Sequence, residues 1–150
     1  MKFNVLFRTD VGGDHERVVI EATDSDAAFR KAEHMPQARY YEEIIIDERV
    51  EGIAAYHVTY NYNYVFNGKV LSEMGQNWIP INAESEEEAV EAWEKLFAGK
   101  YFDWIYPSEK NILDQIPTEG QGGKYGEVVE VFQWAPEAPN TPNAKEILGK

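Results

Sequence analysis

The segment that most constrains the fold of this chain runs from Ala54 to Phe66, where aromatic or aliphatic residues alternate with mostly polar ones. An alternation with a period of two predicts a β-strand whose two sides differ in character. The Asn67-Gly68 pair that follows is typical of a two-residue hairpin turn, so we expect a return strand to begin at Lys69. One side of the predicted strand carries Tyr56, Val58, Tyr60, Tyr62, Tyr64 and Phe66, and the other carries His57, Thr59, Asn61, Asn63 and Val65.

The length of this strand is a second constraint. A straight strand from Ala54 to Phe66 would measure roughly 43 Å, because each residue adds about 3.3 Å. A compact domain with the length of this chain is only about 38 Å across. We therefore expect the strand to bend, to carry a β-bulge or to be divided.

Shorter patterns on either side of the hairpin predict the remaining elements. "KFNVLFR" and "RVVIEAT" predict two strands around a glycine turn, followed by a helix that begins at Thr23 or Asp24 and ends at Pro36. "YYEEIIIDERV" and "EVVEVFQW" predict later strands, and Asn82–Phe97 contains a second helix. The chain is therefore predicted to be α+β, with one or more antiparallel sheets and two main helices.

The two predicted helices lie in similar segments of the sequence. Ile20–Glu33 and Ile81–Lys95 both pass from a strand through a polar cap into a helix. This similarity favours a duplicated ββαβ unit, and the alternative is one sheet with both helices on a single face. Identical residues recur at an offset of 61 positions, namely Ile20 and Ile81, Ala22 and Ala83, Ala28 and Ala89, and Glu33 and Glu94.

The domain organisation follows from length and composition. A chain of 150 residues can bury a core, and we expect residues 1–135 to form a single compact domain with half-repeats at 1–50 and 54–134. The segment 136–150 contains Pro136, Pro139 and Pro142 and lacks apolar periodicity. We expect this segment to be a flexible tail.

Composition restricts the compartment. The chain has no cysteine, which rules out disulfides, thiolate metal sites and cysteine nucleophiles and fits a reducing cytosol. Its N-terminus lacks the pattern of a signal peptide, and no apolar run approaches the ~18 residues of a membrane span. We expect a cytoplasmic protein, in the host cytoplasm if a phage encodes it, without a membrane partner.

The net charge restricts the partner. The chain contains 14 Lys and Arg against 27 Asp and Glu, which leaves a formal charge of −13 at pH 7. Because the protein would repel phosphate groups, direct nucleic-acid binding is disfavoured and a basic partner is favoured.

No residue pattern in the chain demands catalysis. The histidines His15, His34 and His57 lie in three different predicted elements. His57-Val58-Thr59 resembles one half of the paired His-x-Thr signature of 2H phosphoesterases, but the second copy that the family requires is absent. "GGDHE" and "TDSDA" lack the spacing of a calcium-binding EF-hand loop. We predict no catalytic residue, no metal and no cofactor.

The second helix contains the most acidic stretch of the chain. Ser85 is its predicted N-cap, and Glu88 completes a capping box. Helix formation does not require the other glutamates, and the nearby sequence offers only Lys95 to balance them. We therefore predict a partner-binding face that consists of Glu84, Glu86, Glu87, Glu91 and Glu94.

The tyrosine side of the long strand supplies two further candidates for partner binding, Tyr60 and Tyr62. Aromatic residues on an open sheet can stack on nucleic-acid bases, but such modules surround them with Lys and Arg, and here only Lys69 is nearby. Two alternatives remain. This side packs against a helix, or it forms an aromatic protein-binding surface.

These features together predict a small acidic, non-enzymatic interaction protein that docks on a basic surface of a partner, such as the channel of a nucleic-acid-processing complex. In size and charge the chain is comparable to inhibitors that phages and mobile elements encode. One alternative is an assembly or structural protein that forms a homodimer through its Tyr-rich sheet or an open sheet edge. Another is a small-ligand protein or hydrolase that uses His57 and carboxylates.

Overall fold

The computed structural model describes residues 1–9, 13–103 and 122–150. These residues form an α+β protein with two antiparallel sheets and three α-helices, of which two are the main helices predicted from the sequence. The chain divides into two compact units, Met1–Val50 and Glu51–Lys150. This division differs from the single domain expected over residues 1–135, and it falls between the two half-repeats.

The first unit is a three-stranded sheet that one helix covers. Its strand order is β2-β1-β3, and all neighbours are antiparallel. Alternate residues of β1, namely Phe3, Val5 and Phe7, are buried in one cluster with Ala28 and Ala32 of α1. The elements are β1 Lys2–Arg8, β2 His15–Glu21, α1 Ser25–Glu33, a 3₁₀-helix Pro36–Arg39 and β3 Glu43–Glu48.

The second unit is a four-stranded sheet with the order β5-β4-β7-β6. The predicted hairpin is confirmed, because Phe66 pairs with Lys69 across a two-residue turn. Asn67 and Gly68 have φ angles of 50° and 76°, the positive values that a type I′ turn requires at both positions. The elements are β4 Ala54–Phe66, β5 Lys69–Ala83, α2 Glu86–Phe97, β6 Tyr101–Asp103, β7 Gly122–Pro136 and α3 Ala144–Leu148.

Bulges on the partner strands accommodate the long strand β4. Residues 122–136 of β7 pair with the shorter segment 54–65 of β4, and the ladder contains three register shifts. Val129 and Trp134 are two of the extra residues on β7, and both are exposed. Bulges strengthen the local twist and redirect side chains. The expected bulges therefore occur, but on β5 and β7 while β4 itself stays continuous.

The two units share a connectivity. In each, a hairpin is followed by a helix and then by a strand that pairs with the other edge of the first strand, which is β3 in one unit and β7 in the other. The N-caps of α1 and α2 are Asp24 and Ser85, and each side chain accepts a hydrogen bond from the amide three residues later. Ile20 and Ile81, at the offset found in the sequence, are both buried. This connectivity is that of a duplicated ββαβ unit, to which β6 is added in the second unit.

The C-terminal segment is part of the second unit and is attached to β5 by hydrogen bonds. This attachment differs from the flexible tail expected for residues 136–150. The buried side chain of Asn82 donates from Nδ2 to the carbonyl of Ala138 at 2.8 Å and accepts from the amide of Ala138 at 3.0 Å. The amide of Asn82 donates to the carbonyl of Pro142 at 2.8 Å, and Ala144 of α3 is fully buried. The proline-rich segment is held through its backbone groups, which leave no apolar periodicity in the sequence.

Replacing Asn82 by Ala tests this attachment. The change removes both side-chain hydrogen bonds and leaves polar backbone groups of Ala138 without their partners, so we expect a loss of about 2 kcal/mol in the free energy of unfolding. Urea denaturation measures this loss. Asn77→Ala is the matched control on the same strand, because Asn77 is exposed and accepts only a local bond from the amide of Trp78; it should cost under about 0.5 kcal/mol. Equal losses in the two variants would contradict the role of Asn82.

Candidate protein-binding site

The acidic helix α2 forms as the sequence predicts. Ser85 is the N-cap, and its hydroxyl accepts a hydrogen bond from the amide of Glu88 at 3.1 Å. The carboxylate of Glu88 reaches back to the amide of Glu84 at 3.2 Å, one residue before the cap. Three acidic side chains in the first turn also interact favourably with the helix dipole. The inner side of α2 buries Ala89, Ala92, Trp93 and Phe97.

The fold brings two lysines to the predicted acidic face. Lys145 of α3 donates to the carboxylate of Glu84 at 2.6 Å, and this hydrogen bond raises the pKa of Lys145. The C-terminal Lys150 lies 3.9 Å from the carboxylate of Glu91, and both side chains are largely exposed. Between Val70 and Leu96 the sequence contains only one basic residue, Lys95, so the partial neutralisation by Lys145 and Lys150 comes from tertiary structure.

The remaining predicted glutamates lie at different positions on α2. Glu87 and Glu94 are exposed, whereas Glu86 is half-buried. Glu94 borders a groove between α2 and β7. It is the one predicted glutamate that lines this groove together with residues that the sequence analysis did not select. The groove, which we call the α2–β7 groove, has a volume of about 660 Å³ and is lined by Val90, Trp93, Glu94 and Ala98 on one side and by residues 126–131 of β7 on the other.

The α2–β7 groove combines an apolar floor with an acidic border. Val90, Val128 and Val131 contribute apolar surface, and Glu127 and Glu130 of β7 add carboxylates to that of Glu94. Among the described residues that line it, none is Lys, Arg or His. Apolar surface bordered by charges of one sign is a surface that favours a partner of opposite charge.

One of the β7 bulges shapes this groove. The side-chain oxygen of Asn61 accepts a hydrogen bond from the amide of Glu127 at 2.7 Å. A Cβ atom on Gly126 would clash with that same oxygen, so a larger residue there would have to displace the Asn61 side chain and its hydrogen bond. Asn61 and Gly126 thus fit together at the bulge that positions Glu127 at the border of the groove.

A buried polar atom also belongs to the groove. Trp93 lines it and has no exposed surface, and its indole Nε1–H has no acceptor among the residues that the structure describes. Burying such a donor without an acceptor costs about 1–3 kcal/mol.

The two candidate tyrosines belong to the helix-covered side of the sheet. Tyr60 is only 8% exposed, and its ring lies 5.2 Å from that of Trp93 and 5.4 Å from that of Tyr125. Tyr62 is half-buried and packs edge-to-face on Phe102 at 5.2 Å. Around Tyr60 this side of β4 packs against α2, as in the first alternative of the sequence analysis, whereas Tyr62 contacts β6.

An aromatic cluster that the sequence did not single out lies on the opposite side of the sheet. The imidazole of His57 stacks on Trp78 at 4.2 Å and on Phe132 at 4.6 Å. Trp134, one of the bulged residues, packs edge-on against Trp78 at 5.6 Å. Trp78 and Trp134 remain 45% and 54% exposed. His57 therefore sits in an aromatic cluster, with its Nδ1 atom 3.3 Å from the hydroxyl of Thr59.

Comparison of the chain with protein-family models, with curated proteins and with solved structures finds no match. Within the described ranges, no helix is both long and apolar enough to cross a membrane, and no group of three or more His, Asp or Glu residues is arranged to hold a metal ion. The site must therefore be interpreted from its own residues.

The buried tyrosines predict a response to alkaline pH. Burial raises the pKa of Tyr60 to about 12 and raises that of Tyr125 as well, from an ordinary value of 10.0. The unfolded chain then loses these protons at lower pH than the folded protein does, so the stability they contribute is complete below pH 10 and is lost as pH rises from about 10 to 12.

We expect the double variant Tyr60→Phe, Tyr125→Phe to show a smaller fall in the free energy of unfolding between pH 9 and 11.5 than the unmodified protein, as measured by urea denaturation. Tyr40→Phe is the control, because Tyr40 is 76% exposed. The control should lose as much stability as the unmodified protein. If the double variant also loses as much, the two buried tyrosines do not cause the alkaline loss of stability.

Proposed function

We propose that this protein is a non-enzymatic interaction protein that docks on a basic surface of a partner protein. The observation that supports this best is the α2–β7 groove, where Glu94, Glu127 and Glu130 border an apolar floor. A partner that covers the floor also removes water from the border, and charge pairs strengthen as water is excluded. The groove thus offers both hydrophobic burial and charge selection.

The exposed glutamates of α2 extend the acidic surface beyond the groove. Glu87 and Glu91 are exposed on the same helix as Glu94. Their field, together with the net charge of −13, would accelerate encounters with a basic partner. Glu84 contributes less, because Lys145 partly neutralises it.

The partner class that we propose is a nucleic-acid-processing protein whose basic channel the acidic surface occupies. Such channels present Lys and Arg to phosphate groups, and a carboxylate surface competes for the same residues. In this role the protein would act as an inhibitor, as acidic proteins of phages and mobile elements do. Because the acidic residues are spread along the chain and only some of them border the groove, the partner would be held at one docking site, without a full imitation of DNA.

Charge reversal tests this function. The variant Glu91→Lys, Glu94→Lys, Glu127→Lys and the control Glu33→Lys, Glu48→Lys, Glu51→Lys change exposed glutamates and alter the net charge equally. The tagged proteins are used to capture partners from a lysate of the source cell, with identification by mass spectrometry. We expect the unmodified protein and the control to retain a basic nucleic-acid-binding protein, and the groove variant to retain at least about tenfold less, since loss of desolvated charge pairs costs more than ~1.4 kcal/mol.

Two results would count against the function. One is equal capture of the same protein by the two variants, which would mean that the groove does not bind the partner. The other is a captured partner that a short DNA duplex does not displace, which would mean that the partner is not bound through its nucleic-acid channel.

Self-association is a second candidate function, and it is supported by the open side of the β4–β5 hairpin. β5 is an edge strand in the described part of the second unit, and long exposed edges favour pairing with another chain. Val70, Met74 and Trp78 are exposed along this strand at even spacing. On the Tyr-rich side expected for such a contact, α2 buries Tyr60, and Tyr62 and Tyr64 are half-buried. The edge of β5 and the opposite side of the sheet are therefore the surfaces that we propose for a dimer.

Light scattering across a concentration series tests self-association. If this function holds, we expect the mass to approach twice the monomer value, and Met74→Lys, Trp78→Lys to keep the protein monomeric because charges on an exposed edge oppose strand pairing. Phe29→Lys, Val19→Lys in the first unit is the control, since both residues are exposed. A monomer at all concentrations up to about 1 mM rejects this candidate.

A further inference from the structure

We propose that the α2–β7 groove binds one extended segment of the partner, rich in Lys or Arg, which adds as a strand to the outer edge of β7. This inference rests on the proposed function and specifies how the partner is held. Strand addition is a common mode of peptide recognition, in which main-chain hydrogen bonds supply affinity and alternate side chains supply specificity.

The outer edge of β7 lies next to the groove. β6 pairs only with Gly122, Gly123 and Lys124, and Tyr125 donates its amide to the carbonyl of Lys100. Beyond Tyr125, β4 is the only strand that pairs with β7 among the described residues. The six residues 126–131 that line the groove would face about 20 Å of extended chain, which corresponds to a segment of five to seven residues.

The groove also offers what an extended segment needs on its two sides. In a strand, successive side chains point in opposite directions. Apolar residues of the segment that face α2 would lie on Val90 and Val131, beside Glu94, and the intervening Lys or Arg, which point to the opposite side, would reach Glu127. An acidic or purely polar segment fits neither surface.

The indole of Trp93 provides an independent reason for a peptide. Trp93 lines the groove, and its Nε1–H is buried and lacks an acceptor among the described residues. A peptide carries one carbonyl acceptor per residue, and a carbonyl that displaces part of the floor would satisfy this donor. Apolar ligands would leave the donor unsatisfied.

Three synthetic peptides test the inference on the full chain. The first is a seven-residue peptide of alternating Lys and Val with blocked ends. The second has the same sequence with an N-methyl group on every residue, so that it keeps its charge and side chains but donates no backbone hydrogen bond along either edge. The third replaces Lys by Glu. Binding is followed by the ¹⁵N–¹H spectrum of the protein, which resolves backbone amides and the four indole N–H groups of its Trp residues.

We expect the Lys/Val peptide to shift the amides of residues 126–131 and to move the Trp93 indole signal downfield, because that donor gains an acceptor. The N-methylated peptide should bind at least tenfold more weakly, and the Glu/Val peptide should not bind. The groove variant Glu94→Gln, Glu127→Gln should weaken binding of the Lys/Val peptide by about three- to tenfold, since each exposed charge pair contributes only modestly to affinity. Glu33→Gln, Glu48→Gln is the control of equal charge and should leave binding unchanged.

The outcomes separate this inference from the function on which it rests. Equal affinity of the N-methylated and unmodified peptides overturns strand addition, and so does the lack of shifts at residues 126–131 with millimolar Lys/Val peptide. If capture of the basic partner is nevertheless lost on charge reversal, docking on a basic surface stands and only the mode of binding is wrong. If charge reversal leaves capture unchanged while the Lys/Val peptide binds residues 126–131, the groove binds extended basic peptides and the proposed function is wrong.

Discussion

The burial of one side of β4 against α2 is the interaction on which the second unit depends. Tyr56, Val58 and Tyr60 point to the same side and are buried, and Trp93 and Phe97 of α2 complete this core. Aromatic side chains of this size dominate core energetics, because each buries about 150–250 Å². β4 also pairs with strands on both edges, so its position sets the register of β5 and β7.

The bulges follow from this constraint. A one-residue slip would turn a buried side chain outward, so β4 and its partners keep their inward residues aligned and expel extra residues from the ladder. On β7 these extra residues include Val129 and Trp134. The same irregular ladder, stabilised by the hydrogen bond between Asn61 and Glu127, shapes the wall of the α2–β7 groove. The shape of the α2–β7 groove is thus a consequence of pairing the longer strand β7 with a shorter segment of β4.

The acidity of α2 has two physical roles. Glu88 contributes to the cap, and the first-turn carboxylates are favoured by the helix dipole, so part of the negative charge belongs to folding. Glu94 has no such local role and lies where α2 meets β7. Lys145 and Lys150 partly neutralise Glu84 and Glu91, whereas none of the described residues that line the groove is basic.

The sequence by itself determined the features that depend on neighbours a few residues apart. Asn67-Gly68 specified the turn, Ser85 and Glu88 specified the start of α2, and the alternation of residues 56–60 of β4 specified its two sides there. At the far end of β4 the predicted pattern is reversed, because Val65 is buried and Phe66 is exposed. Only the tertiary structure decided which distant residues meet. It brought Glu127 to Glu94, Lys145 to Glu84 and Ala138 to Asn82, and it placed Trp78 beside His57. Turn, capping and periodicity signals arise from local backbone geometry, whereas these contacts arise from strand register and from backbone hydrogen bonds that carry no residue pattern.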